Sequence, residues 1–207
     1  GVDLERFTPA NRAAGSRVRE KFGVRSDETV LLFAGSGFER KGLRFALEAA
    51  ALCAPNMPLK FFIVGHGDRA KHRKLVHRLH LDGRVMFLGR RENIEEFYAA
   101  ADVFILPTLY EPFGSVVLEA MASGLPCIVS STSGAAEILS HGVDSLVAQD
   151  PTSSPELAHL VELLRDAETR ARIGTAARQT AMNYSLDANV SRTLDLYRRV
   201  CEIKSRS

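Results

Sequence analysis

The chain has 207 residues, 45% of them apolar and 25% charged, with 27 Lys and Arg against 25 Asp and Glu. That composition fits a globular protein with a substantial core, one large domain or two small ones, and the near balance of charge predicts no nucleic-acid partner. Three widely spaced cysteines, Cys53, Cys127 and Cys201, with no Cys-x-x-Cys, argue against a disulfide framework and for buried thiols in a reducing cytoplasm.

No run approaches the roughly 20 apolar residues that cross a bilayer. The opening segment GVDLERFTPANRAAG (1–15) is polar and charged where a signal peptide would be apolar, and it reads as a linker running into a domain over 16–207, an interdomain linker by the resemblance given below. Its start at Gly rather than Met leads us to expect a piece of a longer protein.

From residue 29 onward, short apolar runs alternate with amphipathic stretches, the pattern of a parallel sheet covered on both faces. The predicted strands are TVLLFAG (29–35), LKFFIVG (59–65), RVMFLG (84–89), DVFILP (102–107), PCIVS (126–130) and DSLVA (144–148). Predicted helices fall between them, near 42–53, 68–80, 93–101, 114–123 and 134–140. After the break at Pro151 and Pro155, three more close the chain near 155–165, 168–183 and 186–204. The fold class is therefore α/β: a Rossmann-like doubly wound sheet of about six strands with helices on both faces.

In such sheets ligands bind beyond the carboxyl ends of the strands, so the strand-to-helix loops hold the candidates. GSGFERKG (35–42) places Arg40 and Lys41 at the start of a helix, where cations oppose the macrodipole unless an anion lies alongside. The plain alternative is a solvated basic turn, and no Gly-Lys-Ser/Thr follows to make a Walker loop. GHGDRA (65–70) satisfies Gly-x-Gly-x-x-Ala, and Arg90 and Arg91 follow the next strand, which keeps an NADP-binding oxidoreductase open as an alternative. Set against it, the motif follows the second strand rather than the first. His72, His77 and His80 share a basic helix and read as a solvated face; no metal site is expected, and there is no Asp-x-Asp to hold a metal-bound diphosphate.

In LYEPFGSVVLEAMASGLP (109–126), Glu111 and Glu119 bracket an apolar segment. Pro112, Phe113 and Gly114 suit the first turn of a helix, which puts Glu119 roughly 7 Å further along its axis. The N–H groups of Gly114, Ser115 and Val116 at its head form a potential diphosphate cradle. Carboxylates repel phosphate and accept from hydroxyls, so the natural ligand carries hydroxyls on both sides of a diphosphate, as a nucleotide sugar does. An isolated pair could equally be a dipole partner and a solvated helix residue, but the setting VVLEAMA turns Glu119 toward the core side.

ADVFILPTLYEPFGSVVLEAMASGLPCIVSSTSGAAEIL (101–139), with its Glu-x7-Glu, Pro-Phe-Gly and Ala-x-Gly-x-Pro, resembles the C-terminal donor-binding domain of retaining glycosyltransferases with the GT-B fold. The likeness extends over nearly the whole chain. It implies that Glu111 holds hydroxyls of the transferred sugar, that Glu119 holds the ribose, and that Arg40 and Lys41 neutralise the diphosphate as the glycosidic bond breaks. It further implies substrate contacts from Gly35, Ser36, Gly37, Pro112, Phe113, Gly114, Ser115 and Val116, and contact with the base from Arg90. No cofactor or metal is implied, only a UDP-sugar donor.

GSGFERKG looks most like the lipopolysaccharide core glucosyltransferases, which use UDP-glucose. A departure from the family is Ser133, where many relatives have a Gly before the one matching Gly134, and its added side chain is expected to shift the local turn or the donor preference. Family enzymes add an N-terminal acceptor domain, often with a membrane-surface patch, so the full enzyme is expected in the cytoplasm or peripheral on the inner membrane face. A non-catalytic nucleotide-sugar-binding module stays open beside the enzyme. Two acids pointing away from any shared hollow, or sealed into ion pairs with neighbours, would make the donor-site assignment collapse.

Overall fold

The computed structural model describes residues 1–205, with side chains through residue 202. Six parallel strands form one sheet: β1 (Thr29–Ala34), β2 (Leu59–Val64), β3 (Val85–Gly89), β4 (Val103–Leu106), β5 (Cys127–Ser130) and β6 (Leu146–Ala148). Each coincides with an apolar run. β1, β4 and β5 are buried at every position because helices cover both faces, whereas β3 is half-buried at the sheet edge.

The helices are α1 (Arg12–Lys21), α2 (Leu43–Cys53), α3 (Arg69–Arg78), α4 (Ile94–Ala100), α5 (Ser115–Ala122), α6 (Ser154–Leu163), α7 (Ala167–Met182) and α8 (Leu186–Ser205). One group packs α2 with α3 and α6, and the other links α1, α4, α5 and α7. α8 carries exposed Leu186, Val190, Leu194, Tyr197 and Val200 along its length.

Strand order is β3-β2-β1-β4-β5-β6. From β1 the chain builds outward through β2 to β3, then crosses back to β4 on the other side of β1. The loops after β1 and β4 therefore diverge at a topological switch point, the place where open α/β sheets leave a crevice.

Three expectations are corrected. The helix near 134–140 is a short 3-10 turn, Gly134–Ile138. Cys201 is exposed on α8, unlike buried Cys53 and Cys127. His72 is not on a solvated face: it is 1% exposed, its ring packs edge-on against Phe38 at 5.4 Å, and its Nδ1 bonds the Asp68 carbonyl at 2.7 Å. The inner face of α3 is made by His72, Leu75 and Val76 at helical spacing, so the histidine serves there as a core residue.

α1 has no counterpart among the predicted helices. Gly15 in its middle packs so close to α4 that an added Cβ would lie 2.3 Å from the Ala99 carbonyl oxygen. The residues before it fold onto the domain: Val2 and Phe7 are buried, the Val2 N–H donates to the Tyr184 carbonyl at 2.9 Å, and Arg178 donates to the Phe7 carbonyl at 2.7 Å.

Candidate functional site

The loops after β1 and β4 are tied together across the switch point. The Leu109 N–H donates to the Arg40 carbonyl at 2.9 Å, and the fully buried Thr108 hydroxyl lies 3.1 Å from both the Arg40 and Tyr110 carbonyls. Gly42, at φ +72°, lets the first loop turn into α2 against β4, since a Cβ there would sit 1.9 Å from the Pro107 carbonyl oxygen.

Both predicted cations reach the predicted carboxylate through this connection. Arg40 Nη1 donates to Glu111 Oε2 at 2.9 Å and to the Tyr110 carbonyl at 2.8 Å. Lys41 Nζ, on a side chain only 8% exposed, pairs with the same Glu111 oxygen. Burial alone would raise the Glu111 carboxyl, but hydrogen bonds from Lys41 and Arg40 outweigh it and hold it below its ordinary value. Of the two acids, Glu111 is thus sealed into ion pairs, one of the arrangements named above against a donor site, although its partners are the two cations predicted for that same site.

α5 begins at Ser115, with Gly114 as its N-cap at φ 82° and no side-chain cap. Pro112 and Phe113 therefore lie in the loop before the helix, not in its first turn. Among the described residues, no protein group accepts from the N–H groups of Gly114, Ser115 and Val116. A helix head left open in this way carries partial positive charge. Exposed Leu109, Tyr110 and Phe113 flank it.

The loop after β5 closes against this segment. The Gly134 N–H donates to the Glu111 carbonyl at 2.8 Å, and Ser133 pairs with Glu111 in an isolated parallel bridge. Ser133 is 2% exposed, its hydroxyl donates to the Phe113 carbonyl at 3.4 Å, and it accepts from the Ala135 N–H. Its backbone is extended, with φ −89°, so a side chain fits there and braces the turn.

Glu119 stands apart from this cluster. It lies half-buried on the inward side of α5, and no hydrogen bond or ion pair joins it to Arg40, Lys41 or Glu111 among the described residues. Tyr98 Oη, at the end of α4, lies 3.0 Å from Glu119 Oε2 and 3.2 Å from the Val116 carbonyl. Burial pushes the Glu119 carboxyl up, against lowering by the Tyr98 hydrogen bond and by the charge of Arg6. Sequence pattern did not mark Tyr98; a tyrosine in the core-facing run EEFYAAADVF needs a buried partner for its hydroxyl, and that was the available signal.

The glycines of the first loops place β1, β2 and β3 loops side by side. The Gly35 N–H donates to the Val64 carbonyl at 3.0 Å, the Gly37 N–H to the His66 carbonyl at 2.8 Å, and the Gly65 N–H to the Gly89 carbonyl at 2.9 Å. Ser36 and Gly37 are exposed on this edge. Arg90 is exposed after β3, two strands away from β1, with no partner among the described residues. The Gly-x-Gly-x-x-Ala loop follows β2 rather than a strand at the switch point. Moreover, Asp68 caps α3 by accepting from the Lys71 N–H at 2.9 Å, which sets a carboxylate where a dinucleotide pyrophosphate would dock.

A doubly wound sheet with two cations, a carboxylate and an open helix head at its switch point defines an α/β protein whose strand-end edge offers the charge and hydrogen-bonding groups for an anionic, hydroxyl-bearing ligand. The family model "Glycosyl transferases group 1" matches residues 16–180, and the chain belongs to that family.

An uncharacterized glycosyltransferase of Methanocaldococcus jannaschii is 33% identical over 193 residues, 91% of this chain and 49% of that protein. Lipopolysaccharide glucosyltransferase WaaG of Escherichia coli is 31% identical over 169 residues, covering 81% of this chain and 44% of WaaG. The crystal structure of Anabaena HepE in complex with UDP and glucose superimposes with a TM-score of 0.81 at 27% identity, covering 94% of this chain and 55% of that one. The chain thus spans about half the length of the relatives it matches. The glycosyltransferase resemblance and the doubly wound fold are both borne out.

Proposed function

We propose that this chain is the donor-binding domain of a retaining, metal-independent glycosyltransferase that takes a nucleotide sugar, most specifically UDP-glucose. The single observation that carries the proposal is the meeting of Arg40 and Lys41, from the loop after β1, with Glu111 and the open head of α5, from the loop after β4. The diphosphate would dock on the N–H groups of Gly114, Ser115 and Val116. Arg40 and Lys41 would take its charge as the bond between the sugar carbon and the phosphate oxygen breaks and the electron pair leaves with UDP. Glu111, released from the cations, would accept from sugar hydroxyls, and Glu119 from the ribose.

Two fixed cations at the leaving group can do the electrostatic work that a divalent metal does elsewhere, which supports metal independence. The UDP and glucose bound to the HepE structure support the donor, and likeness to WaaG supports a place in lipopolysaccharide or other glycoconjugate synthesis. Acceptor binding falls to a second, N-terminal domain of similar size, and contact with a membrane surface, on the cytoplasmic side, falls to that domain too.

Calorimetric titration of this chain with UDP, UDP-glucose and NADP tests the proposal. Binding of UDP and UDP-glucose without NADP, unaffected by chelator, is the expected result. NADP binding in preference to UDP would overturn it in favour of an oxidoreductase. With the second domain restored, UDP affinity without hydrolysis or transfer from any donor would reduce the protein to a binding module.

A further inference from the structure

Among the described residues, Glu119 is unusual for an acid in being largely withdrawn from water with a single neutral side-chain donor on its carboxylate. That donor, the Tyr98 hydroxyl, is itself fully buried, and burial pushes the phenol well above its ordinary value, so it stays protonated. The ring is held edge-on to Phe7, with centroids 5.7 Å apart, and tilted against Phe104 at 5.9 Å, which confines the hydroxyl to acceptors on α5. It lies within reach of Glu119 Oε2 and the Val116 carbonyl, one helical turn apart on α5.

A carboxylate that must receive hydroxyl donors needs an oxygen left free and aimed outward. We infer that Tyr98 is a positioning residue for nucleotide recognition: its buried O–H fixes Oε2 of Glu119, so that Oε1 is presented to the ribose hydroxyls of the donor. The assignment rests on the donor-binding proposal above and extends it to a residue that touches no ligand. The groups that bear on Glu119 are Tyr98 from α4 and Arg6 from the N-terminal segment, whose guanidinium is also paired with Glu95 at 2.8 Å; the Cys127 thiol on β5 bears on the phenol. Only ionised Glu119 accepts from two hydroxyls, so ribose recognition weakens as pH falls through its raised value.

The test compares UDP with 2′,3′-dideoxy-UDP, by calorimetry from neutral pH down to about pH 5, in the wild-type chain and in Tyr98→Phe, which keeps the ring packing and removes only the hydroxyl. Wild type is expected to prefer UDP. Tyr98→Phe is expected to lose roughly threefold to tenfold of that preference, the span of one hydrogen bond, with affinity for the dideoxy compound unchanged. The pH at which the preference disappears should move up, because the variant lacks a bond that favours the ionised form. A carbon-13 titration of the Glu119 carboxyl in the unliganded proteins supplies a second readout and should shift in the same direction.

A preference and an acid limb identical in both proteins would overturn the inference while leaving the donor site standing. So would an equal loss for both nucleotides, the mark of a merely structural tyrosine. Failure of the wild-type chain to bind UDP would instead sink the donor proposal, and this inference with it.

Discussion

Lys41 and Glu111, seventy residues apart in sequence, form an ion pair with side chains only 8% and 14% exposed, and Arg40 joins the same carboxylate oxygen from the solvent side at 2.9 Å. Two cations held by one acid leave net positive charge beside the open head of α5. On the donor-binding proposal, an arriving diphosphate would meet cations that are already positioned but must exchange partners, from carboxylate to phosphate. Charge-assisted bonds of similar strength are lost and gained, so the exchange is nearly balanced, and the helix head tips it toward the ligand.

Lys41→Met follows directly from this arrangement. It removes the more buried cation, but the phosphate bond lost is partly offset by a Glu111 pair that no longer has to break, so UDP affinity should fall by a net of about 0.5–1.5 kcal/mol, roughly 2- to 12-fold. It also leaves Glu111 half-buried with Arg40 alone, at a cost to stability of about 1–3 kcal/mol. Adding Glu111→Gln to Lys41→Met should recover most of that stability but at most part of the UDP affinity, through the release of Arg40 alone. Chemical denaturation and calorimetry on the four proteins of the cycle measure both, and full additivity would contradict the pairing.

Glu111→Gln alone should act in the opposite sense on the two ligands. It frees both cations and relieves a negative charge next to the phosphates, so UDP should bind at least as tightly as in the wild type. UDP-glucose should lose the additional affinity that its hydroxyls obtain from the carboxylate, by about 1–2 kcal/mol. A fall in UDP affinity as large as that of Lys41→Met would mean that Glu111 does not divide the work with the cations in this way.

The acids also set opposite pH dependences. The carboxyl of Glu111 is depressed in the folded state, so it contributes stability that is present above the ordinary glutamate value of about 4.3 and is lost as pH falls through the folded value. Glu119 is raised by burial, so its ionisation opposes folding, and the penalty grows as pH rises above the ordinary value. Glu119→Gln should therefore raise Tm by about 1–4 °C at neutral pH, and the gain should shrink toward zero below about pH 4, while ribose recognition is lost. A Tm that drops at neutral pH would show that Glu119 is held for the fold rather than for a ligand.

How far the sequence carries depends on what kind of interaction decides each feature. The strands were legible because a sheet covered on both faces demands unbroken apolar runs such as TVLLFA and DVFIL. α1 was not, because RAAGSRVREK is strongly polar with a glycine in its middle, and only its close packing on α4 accounts for it. Arg40, Lys41, Glu111 and the head of α5 could be marked as candidates from local chemistry, yet the pairing of Lys41 with Glu111 could not. It depends on β1 and β4 being sheet neighbours, a relationship that no local periodicity encodes. Buried polar contacts such as Tyr98 with Glu119 are hidden for the same reason, since α4 and α5 meet only through the fold.

Gly134 supplies a test of how the loop after β5 supports the site. Its N–H bonds the Glu111 carbonyl, and a Cβ at this position would stand 1.9 Å from the Pro112 carbonyl oxygen, backbone that has nowhere to move without disturbing the acid beside it. Gly134→Ala should cost about 1–3 kcal/mol in stability and weaken UDP-glucose more than UDP, because the displaced group is Glu111 and not the cations. Gly142→Ala is the matched control. Gly142 has φ +78° with open space around it, so alanine there brings about 1–2 kcal/mol of left-handed strain but no clash. The control should lower Tm comparably while leaving both affinities intact; if it weakened UDP-glucose as much as Gly134→Ala does, the binding loss would belong to general destabilisation and not to the displacement of Glu111.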